Sequence, residues 1–163
     1  MRALGRAADI DGACYLTGGT TAVLFGWRES TIDVDIRLVP ETEVLLRAIQ
    51  RLKDDLRVNV ELASPADFIP VRPGWEERSI FIRRDGRLSY FHFDLLAQAL
   101  AKLERAHTQD LDDVDAMLER KLIERSACVE YFEEIEPELY RFPAINARAL
   151  RRRVEEALGP TSL

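Results

Sequence analysis

The chain has little of what would place it in a membrane, a disulfide scaffold or a zinc site. Its 163 residues include two cysteines, Cys14 and Cys128, whose spacing fits no metal-binding motif, so we expect two buried thiols. No apolar run approaches the ~18–20 residues that span a bilayer, and the first residues lack the apolar stretch of a secretory signal. Repeats, low-complexity segments and linkers are also missing. These absences predict one cytoplasmic domain without a membrane partner.

An excess of positive charge is missing as well. The sequence has 23 Lys and Arg residues against 29 Asp and Glu residues, which gives a net charge of −6. Duplex DNA binding normally needs a basic face, so this balance argues against general binding to duplex DNA. A small nucleotide held through a metal ion stays compatible with it. The arginines of a predicted last helix, residues 146–158, are a candidate RNA or protein contact, with a solvated helix face as the alternative.

A glycine pair follows the first predicted strand, which runs from Ala13 to Thr17. Gly18 and Gly19 precede a short predicted helix from Thr20 to Phe25. A strand that runs into two glycines exposes backbone N–H groups, and such groups at the start of a helix can hold a polyphosphate. The sequence therefore predicts a phosphate-binding turn at this point.

Two aspartates, Asp33 and Asp35, lie on the next predicted strand, Ile32 to Val39. Side chains two residues apart on a strand point to the same face, with their Cα atoms ~6.6 Å apart. Their carboxylates can converge on one or two Mg²⁺ ions, which prefer oxygen ligands and share their shell with phosphates. Asp is uncommon within an apolar strand. The pair indicates metal-assisted phosphoryl or nucleotidyl transfer, and two solvated surface acids are the alternative.

Together, the two segments resemble the nucleotidyltransferase superfamily, which has the DNA polymerase beta-like fold. Its signature is an apolar residue, Gly-Gly or Gly-Ser, about ten further residues, and then acid-apolar-acid-apolar. Gly18, Gly19 and the run 33–36 match it, while Thr17 stands where an apolar residue is usual. The resemblance implies an α/β fold with a mixed sheet, flanking helices and a C-terminal helical layer. It also implies nucleoside triphosphate as substrate and Mg²⁺, or Mn²⁺, as cofactor.

A narrower resemblance is to bacterial proteins related to abortive-infection nucleotidyltransferase toxins. These proteins carry Gly-Gly-Thr, an arginine, and a threonine two residues before the first acid; Arg28 and Thr31 occupy those places. A helical lysine and a later aspartate follow in that group, and Lys102 and Asp110 are the candidates here. The likeness covers roughly residues 13–115. It implies a toxin–antitoxin or phage-defence setting, with a cognate antitoxin as a partner.

The third metal carboxylate is open between two acids. Glu61 lies on a predicted strand, Arg57 to Leu62, and in the superfamily a neighbouring strand supplies this acid. An exposed strand acid is its alternative role. Asp94 follows a predicted hairpin strand and is the other candidate, with the N-cap of the next helix as its alternative role.

Lys102 borders the apolar face of a predicted helix, Leu95 to Ala106. Its ammonium group can reach inward to a phosphate, or it can extend to solvent as a snorkelling lysine. Asp110 lies near the start of the following predicted helix, for which Thr108 is the predicted N-cap. An ion pair between helices would fix Lys102, and acids near a helix start also stabilise the helix dipole.

The remaining predicted elements complete a single domain over residues 1–163, with a core at 13–115 and a helical part at 116–160. The predictions are a helix from Glu41 to Lys53, a hairpin around Asp85-Gly86, a loop around Trp75, and helices from Ser126 to Tyr140 and Asn146 to Leu158. Trp75 is pinned on the core or stacks on a base. His92 and His107 are expected to be structural or exposed.

The sequence thus predicts one nucleotidyltransferase site. Its catalytic residues are Asp33, Asp35, Glu61 and Lys102; its metal ligands are Asp33, Asp35 and Glu61; its nucleotide-binding residues are Gly18, Gly19, Thr20, Arg28, Ser30, Thr31 and Asp110. The acceptor hydroxyl belongs to RNA, a protein or a small molecule. The alternative is a non-catalytic nucleotide-binding or protein-interaction module that keeps the fold, for example as a homodimer through its C-terminal helices.

Overall fold

The computed structural model describes residues 1–161 of the chain. Within them the strands are β1 (Gly12–Thr17), β2 (Asp33–Val39), β3 (Asn59–Leu62), β4 (Ile80–Asp85) and β5 (Leu88–His92). The helices are α1 (Arg2–Ala7), α2 (Gly18–Phe25), α3 (Glu43–Leu56), α4 (Trp75–Arg78), α5 (Leu95–Arg105), α6 (Thr108–Glu119), α7 (Arg125–Ile135) and α8 (Ala147–Leu158). Short 3₁₀ segments cover Pro65–Asp67 and Glu136–Arg141. No helix in this part of the chain has the length and apolar character needed to cross a membrane.

The five strands form one mixed sheet in the order β3-β2-β1-β5-β4. Strand β1 pairs antiparallel with β2 and parallel with β5. Strand β2 pairs parallel with β3, and the hairpin strands β4 and β5 are antiparallel. The predicted mixed α/β fold with flanking helices is therefore confirmed, including the hairpin at Asp85-Gly86.

The chain forms two compact units. The first comprises Met1–Ser64 and Ser79–Phe93, which include the whole sheet and helices α1 to α3. The second comprises Pro65–Arg78 and the described residues from Asp94 onward, which include helices α4 to α8. The single domain over 1–163 stays a prediction, and its last two residues lie outside the described part of the chain.

The core of the first unit explains why the acids of β2 point away from it. Alternate residues of β1 and β2 are buried on one face of the sheet, where they pack with residues of α1 and α3. The members of this core are Leu4, Ala8, Cys14, Leu16, Ile36, Leu38, Leu45, Ile49, Leu88 and Tyr90. Because strand side chains alternate, the odd-numbered residues of β2, including Asp33 and Asp35, lie on the opposite face.

The second unit is built around helix α5, which contacts α6, α7 and α8. Its apolar face is fully buried at Ala99, Leu100 and Leu103, as the helical periodicity predicts. Asn146, the residue at which the last helix was predicted to begin, caps α8 by accepting a hydrogen bond from the Ala149 amide at 3.0 Å.

Several local predictions were wrong. Thr108 is the first residue of α6 rather than its N-cap; His107 holds the cap position, without a side-chain capping bond. The helix predicted through Tyr140 ends at Ile135 and continues as a 3₁₀ segment. Pro137 lies at the start of that segment, and because proline has no N–H it cannot continue the α-helical ladder.

Two further elements differ from the sequence interpretation. Helix α1 was not predicted, and the segment predicted as a loop around Trp75 contains the short helix α4.

Both cysteines are buried thiols, as expected: Cys14 is 1% exposed and Cys128 is 0% exposed. Burial raises the pKa of each thiol to about 12.

Candidate functional site

The carboxylates of Asp33 and Asp35 lie on the sheet face opposite the first unit's core. Both residues are half-buried. In the sheet register Asp33 is opposite Asn59, and Asp35 is opposite both Thr17 and Glu61. Strand pairing thus brings Glu61, the predicted third carboxylate, onto the same face as the two aspartates.

Asn59 connects two of these acids, and sequence reasoning missed it. Its Nδ2 atom donates to Asp33 Oδ1 at 2.7 Å and to Glu61 Oε1 at 3.0 Å. The side-chain NH₂ group of asparagine has two hydrogens, so it can donate one to each carboxylate. The available signal was its position two residues before Glu61 on the predicted strand, which places both side chains on one face.

The two glycines of the predicted phosphate turn lie close to side chains of the acidic strand and of the loop before it. Gly18 has φ +61°, and a Cβ there would stand 2.6 Å from Asp35 Oδ2. A Cβ on Gly19 would stand 2.2 Å from Thr31 Oγ1 and 2.9 Å from Arg28 Nη1. The left-handed backbone at Gly18 favours glycine, and a side chain at either position would have to displace these neighbours. The fold therefore brings Gly18, Gly19, Arg28, Thr31 and Asp35 together around the start of α2.

The polar residues of this turn differ in their surroundings. Thr31 Oγ1 donates to the backbone oxygen of Asp33 at 3.0 Å and so ties the loop to the acidic strand. Thr20 Oγ1 is buried and has no hydrogen-bond partner within residues 1–161. Such an atom is uncommon, because buried polar groups are nearly always hydrogen-bonded. Ser30, by contrast, is exposed on the loop.

The donor set of this site suits a divalent cation. Asp33 and Asp35 offer hard carboxylate oxygens on one strand face, and the glycine at position 18 leaves room for the Asp35 carboxylate where a Cβ would otherwise stand. In the described part of the chain, no three Asp, Glu, His or Cys side chains already converge as a metal-binding group. The two aspartates are thus the nucleus of the candidate site, and Glu61 is linked to it through Asn59.

Lys102 and Asp110 lie in the second unit, where they contact each other as the predicted ion pair. Lys102 is 4% exposed, so the snorkelling alternative is wrong. Its Nζ is 3.3 Å from Asp110 Oδ1 and 2.6 Å from Asp113 Oδ2. Arg105 also binds both carboxylate oxygens of Asp110, at 2.8 and 2.5 Å. Asp113 was not singled out in the sequence, although it is one turn beyond Asp110 on the same helix.

Electrostatics hold Asp110 ionised. Burial by itself would raise its pKa, but the hydrogen bond from Arg105 and the charges of Lys102 and Arg105 together lower the pKa below its ordinary 3.8. The side chains of Lys102 and Asp110 contact each other, and they also contact Asp113 and Arg105, respectively. Their roles toward a nucleotide therefore stay predictions.

Asp94, the other candidate for the third carboxylate, has the capping role that was its alternative. It is 2% exposed and accepts a hydrogen bond from the Leu96 amide at 3.1 Å, which caps α5. Arg78 Nε donates to its second oxygen at 2.7 Å. Trp75 is 8% exposed, so its indole is largely buried, as the core-pinned alternative predicts.

The two histidines have the expected structural or exposed positions. His92 is 6% exposed, stacks on the Phe25 ring at 4.3 Å between centroids, and lies 3.3 Å from Thr21 Oγ1. Burial lowers its pKa from 6.5 to about 4, so its ring is neutral at pH 7. His107 is exposed at the start of α6.

The arginines of α8 divide into two groups. Arg151 binds Glu136, with an Nε–Oε1 distance of 2.8 Å, and Arg153 binds backbone oxygens at the end of α5. Arg148 and Arg152 are exposed. Part of the arginine-rich stretch therefore holds the second unit together, and the exposed arginines remain the candidates for contact with RNA or a protein.

A strand that ends in a glycine turn beside an acid-apolar-acid strand, within a mixed sheet, is the arrangement that the resemblance to nucleotidyltransferases implies. A family model described as "Nucleotidyltransferase of unknown function (DUF6036)" matches residues 1–140. The chain belongs to this family. No curated protein and no solved structure matches the chain.

Proposed function

We propose that the protein transfers a nucleoside monophosphate from a nucleoside triphosphate to an acceptor hydroxyl. The observation that carries this proposal is the contact between the glycine turn and the acidic strand, where a Cβ on Gly18 would stand 2.6 Å from Asp35 Oδ2. A phosphate group at the start of α2 would therefore be next to a carboxylate that can hold a metal ion. This pairing is what nucleotidyl transfer needs.

The bond changes of the proposed reaction are simple. The acceptor oxygen forms a bond to the α-phosphorus, the bond from that phosphorus to the bridging oxygen breaks, and pyrophosphate leaves with the electron pair. The acceptor hydroxyl loses its proton to solvent. Bound Mg²⁺ would supply charge neutralisation on the phosphates and a lower acceptor pKa. Asp33 and Asp35 would hold it, with Glu61 as the third donor.

The chain's own groups bind and orient the triphosphate in this proposal. The start of α2, at Gly18 and Gly19, would face the phosphates, because the positive end of a helix dipole favours an anion. Arg28 adds positive charge beside Gly19, and Thr20 Oγ1 offers a hydroxyl without a protein partner in residues 1–161. Thr31 fixes the loop to Asp33, while Ser30 contacts phosphate from its exposed position.

Calorimetric titration of each nucleoside triphosphate with Mg²⁺ tests this proposal. Asp33→Asn/Asp35→Asn should lose Mg²⁺-dependent binding. The matched control is Asp54→Asn/Asp55→Asn, which makes the same change in charge at two exposed residues of α3 and should bind like wild type. If folded wild type binds no triphosphate, the proposed function is wrong and the non-catalytic interaction module replaces it.

We also propose a cytoplasmic toxin–antitoxin or phage-defence setting, with RNA or a protein as acceptor. The places of Arg28 and Thr31 in the narrower resemblance support it, as does the cytoplasmic supply of nucleoside triphosphates. Induced expression in a bacterial host should arrest growth with the wild type and not with Asp33→Asn/Asp35→Asn. Equal growth of the two strains, with equal protein levels, would contradict the toxin setting and leave the enzymatic proposal standing.

A further inference from the structure

We propose that Asn59 is a positioning residue that holds the carboxylates of Asp33 and Glu61 as a pair facing the metal site. This inference rests on the proposed function, because it concerns how the chain arranges the acids that would hold the cation.

Strand pairing places Asn59 where it can reach both acids. Strands β2 and β3 are parallel, and Asn59 is the register partner of Asp33. Glu61 is two residues further along β3, so it lies on the same face as Asn59. The single Nδ2 atom donates to Asp33 Oδ1 at 2.7 Å and to Glu61 Oε1 at 3.0 Å.

A neutral donor between two carboxylates has a specific electrostatic effect. Each bond is charge-assisted, because a carboxylate is the acceptor, and such bonds are stronger than bonds between neutral groups. The amide thereby offsets part of the repulsion between the two acids without cancelling their negative charge. A cation in the same place would cancel one of the two charges, whereas in the second unit Lys102 and Arg105 together balance Asp110 and Asp113.

The two bonds also fix which oxygens are left for a metal ion. Asn59 contacts Oδ1 of Asp33 and Oε1 of Glu61, one oxygen of each carboxylate. Partners that orient metal ligands in this way change metal affinity by about 10–100-fold when they are removed. Without Asn59 both side chains would have to be ordered when the ion binds, and that ordering costs affinity.

Binding of Mn²⁺ to the full-length protein, followed by the electron paramagnetic resonance signal of the free ion, tests this inference without substrate or turnover. We expect Asn59→Ala to bind Mn²⁺ about tenfold more weakly than wild type. Asn59→Gln keeps an amide donor and should recover most of the loss. Asn146→Ala is the matched control, because it removes a helix-capping asparagine from the second unit and should leave Mn²⁺ affinity unchanged.

The outcomes separate this inference from the proposed function. If wild type binds Mn²⁺, Asp33→Asn/Asp35→Asn does not, and Asn59→Ala binds like wild type, the role of Asn59 is wrong and the site stands. If wild type and the double variant bind equally poorly, the proposed site fails and this inference fails with it. Should Asn59→Ala not fold, Asn59→Leu has nearly the same shape without the donor and should show the same weakening.

Discussion

Two regions of the molecule hold aspartates in opposite ways. In the first unit, Asp33 is half-buried and accepts a hydrogen bond from the neutral amide of Asn59. In the second unit, Asp110 is 3% exposed and binds the cations Lys102 and Arg105. The residue type is the same in both places, but the charge beside it differs.

This difference separates a structural cluster from a candidate binding site. A fully buried carboxylate needs a partner cation, because an unpaired buried charge costs several kcal/mol. In the second unit, Lys102 and Arg105 of α5 pair with Asp110 and Asp113 of α6, so the charges of this cluster are already balanced. A half-buried carboxylate oriented by an amide keeps its negative charge, so it can attract a metal ion. The comparison thus predicts stability effects in the second unit and binding effects in the first.

The largest expected effect is from Lys102→Met, which leaves Asp110 and Asp113 without their shared buried cation. We expect the free energy of unfolding to fall by about 3–5 kcal/mol, as when other buried pairs are broken. Denaturant unfolding measures it, and Lys53→Met on α3 is the control, with a change within about 0.5 kcal/mol. If Lys102→Met keeps full stability and loses triphosphate affinity, Lys102 acts on the nucleotide, and the assignment of a purely structural role to its cluster is wrong.

The next effect is a pH dependence centred on His92 in the first unit. Its pKa is about 4 when folded and 6.5 by ordinary values, so the unfolded state binds the extra proton. Stability is therefore full above pH 6.5 and falls as the pH drops towards 4, by up to about 3 kcal/mol. The lowered pKa of Asp110 acts elsewhere, since its contribution is lost only as the pH falls below 3.8.

Unfolding curves of His92→Gln between pH 4 and 7 check this expectation. The variant should lose the slope that wild type shows between pH 6.5 and 4. His107→Gln, which changes an exposed histidine, should keep it. An unchanged slope in His92→Gln would assign the pH dependence to another group.

A smaller effect comes from two glycines with left-handed backbone, Gly18 at φ +61° and Gly26 at φ +83°. Alanine at either position should cost about 1–2 kcal/mol of stability, because side chains disfavour this conformation. A Cβ on Gly26 meets nothing within 4 Å, whereas one on Gly18 meets Asp35 Oδ2. Triphosphate affinity, measured by calorimetry, should therefore fall in Gly18→Ala and stay at the wild-type level in Gly26→Ala. Equal triphosphate affinities in the two variants would mean that the turn at Gly18 and the carboxylate of Asp35 do not form one binding site.

The smallest effect on stability is expected from Asp35→Asn. The change is nearly isosteric and removes one negative charge from a half-buried position, so the free energy of unfolding should move by about 0.5 kcal/mol or less. Mg²⁺-dependent triphosphate binding should nevertheless be lost, because an amide is a poor replacement for a metal-binding carboxylate. A large loss of stability with binding retained would mean that Asp35 is structural, like Asp110.

Much of the fold follows from local patterns. The alternation of apolar residues around Asp33 and Asp35 predicts a strand with both acids on one face, and the register confirms it. Asp94 and Asn146 precede helical periodicity, and both are N-caps. The Thr108 cap was wrong by one residue, at a helix boundary, where neighbouring polar residues give similar signals. Helix α1 was missed because six residues are too few to show a helical period of apolar residues.

The sequence by itself determined the glycine turn, the two aspartates and their common face, because these depend on backbone stereochemistry over a few neighbouring residues. The tertiary structure alone decided that Asn59 lies beside Asp33 and that Lys102 is buried between Asp110 and Asp113. Which strands pair and which helices pack together depends on how much apolar surface many distant residues bury together. The residues next to Asn59 or Lys102 in the sequence do not contain that information.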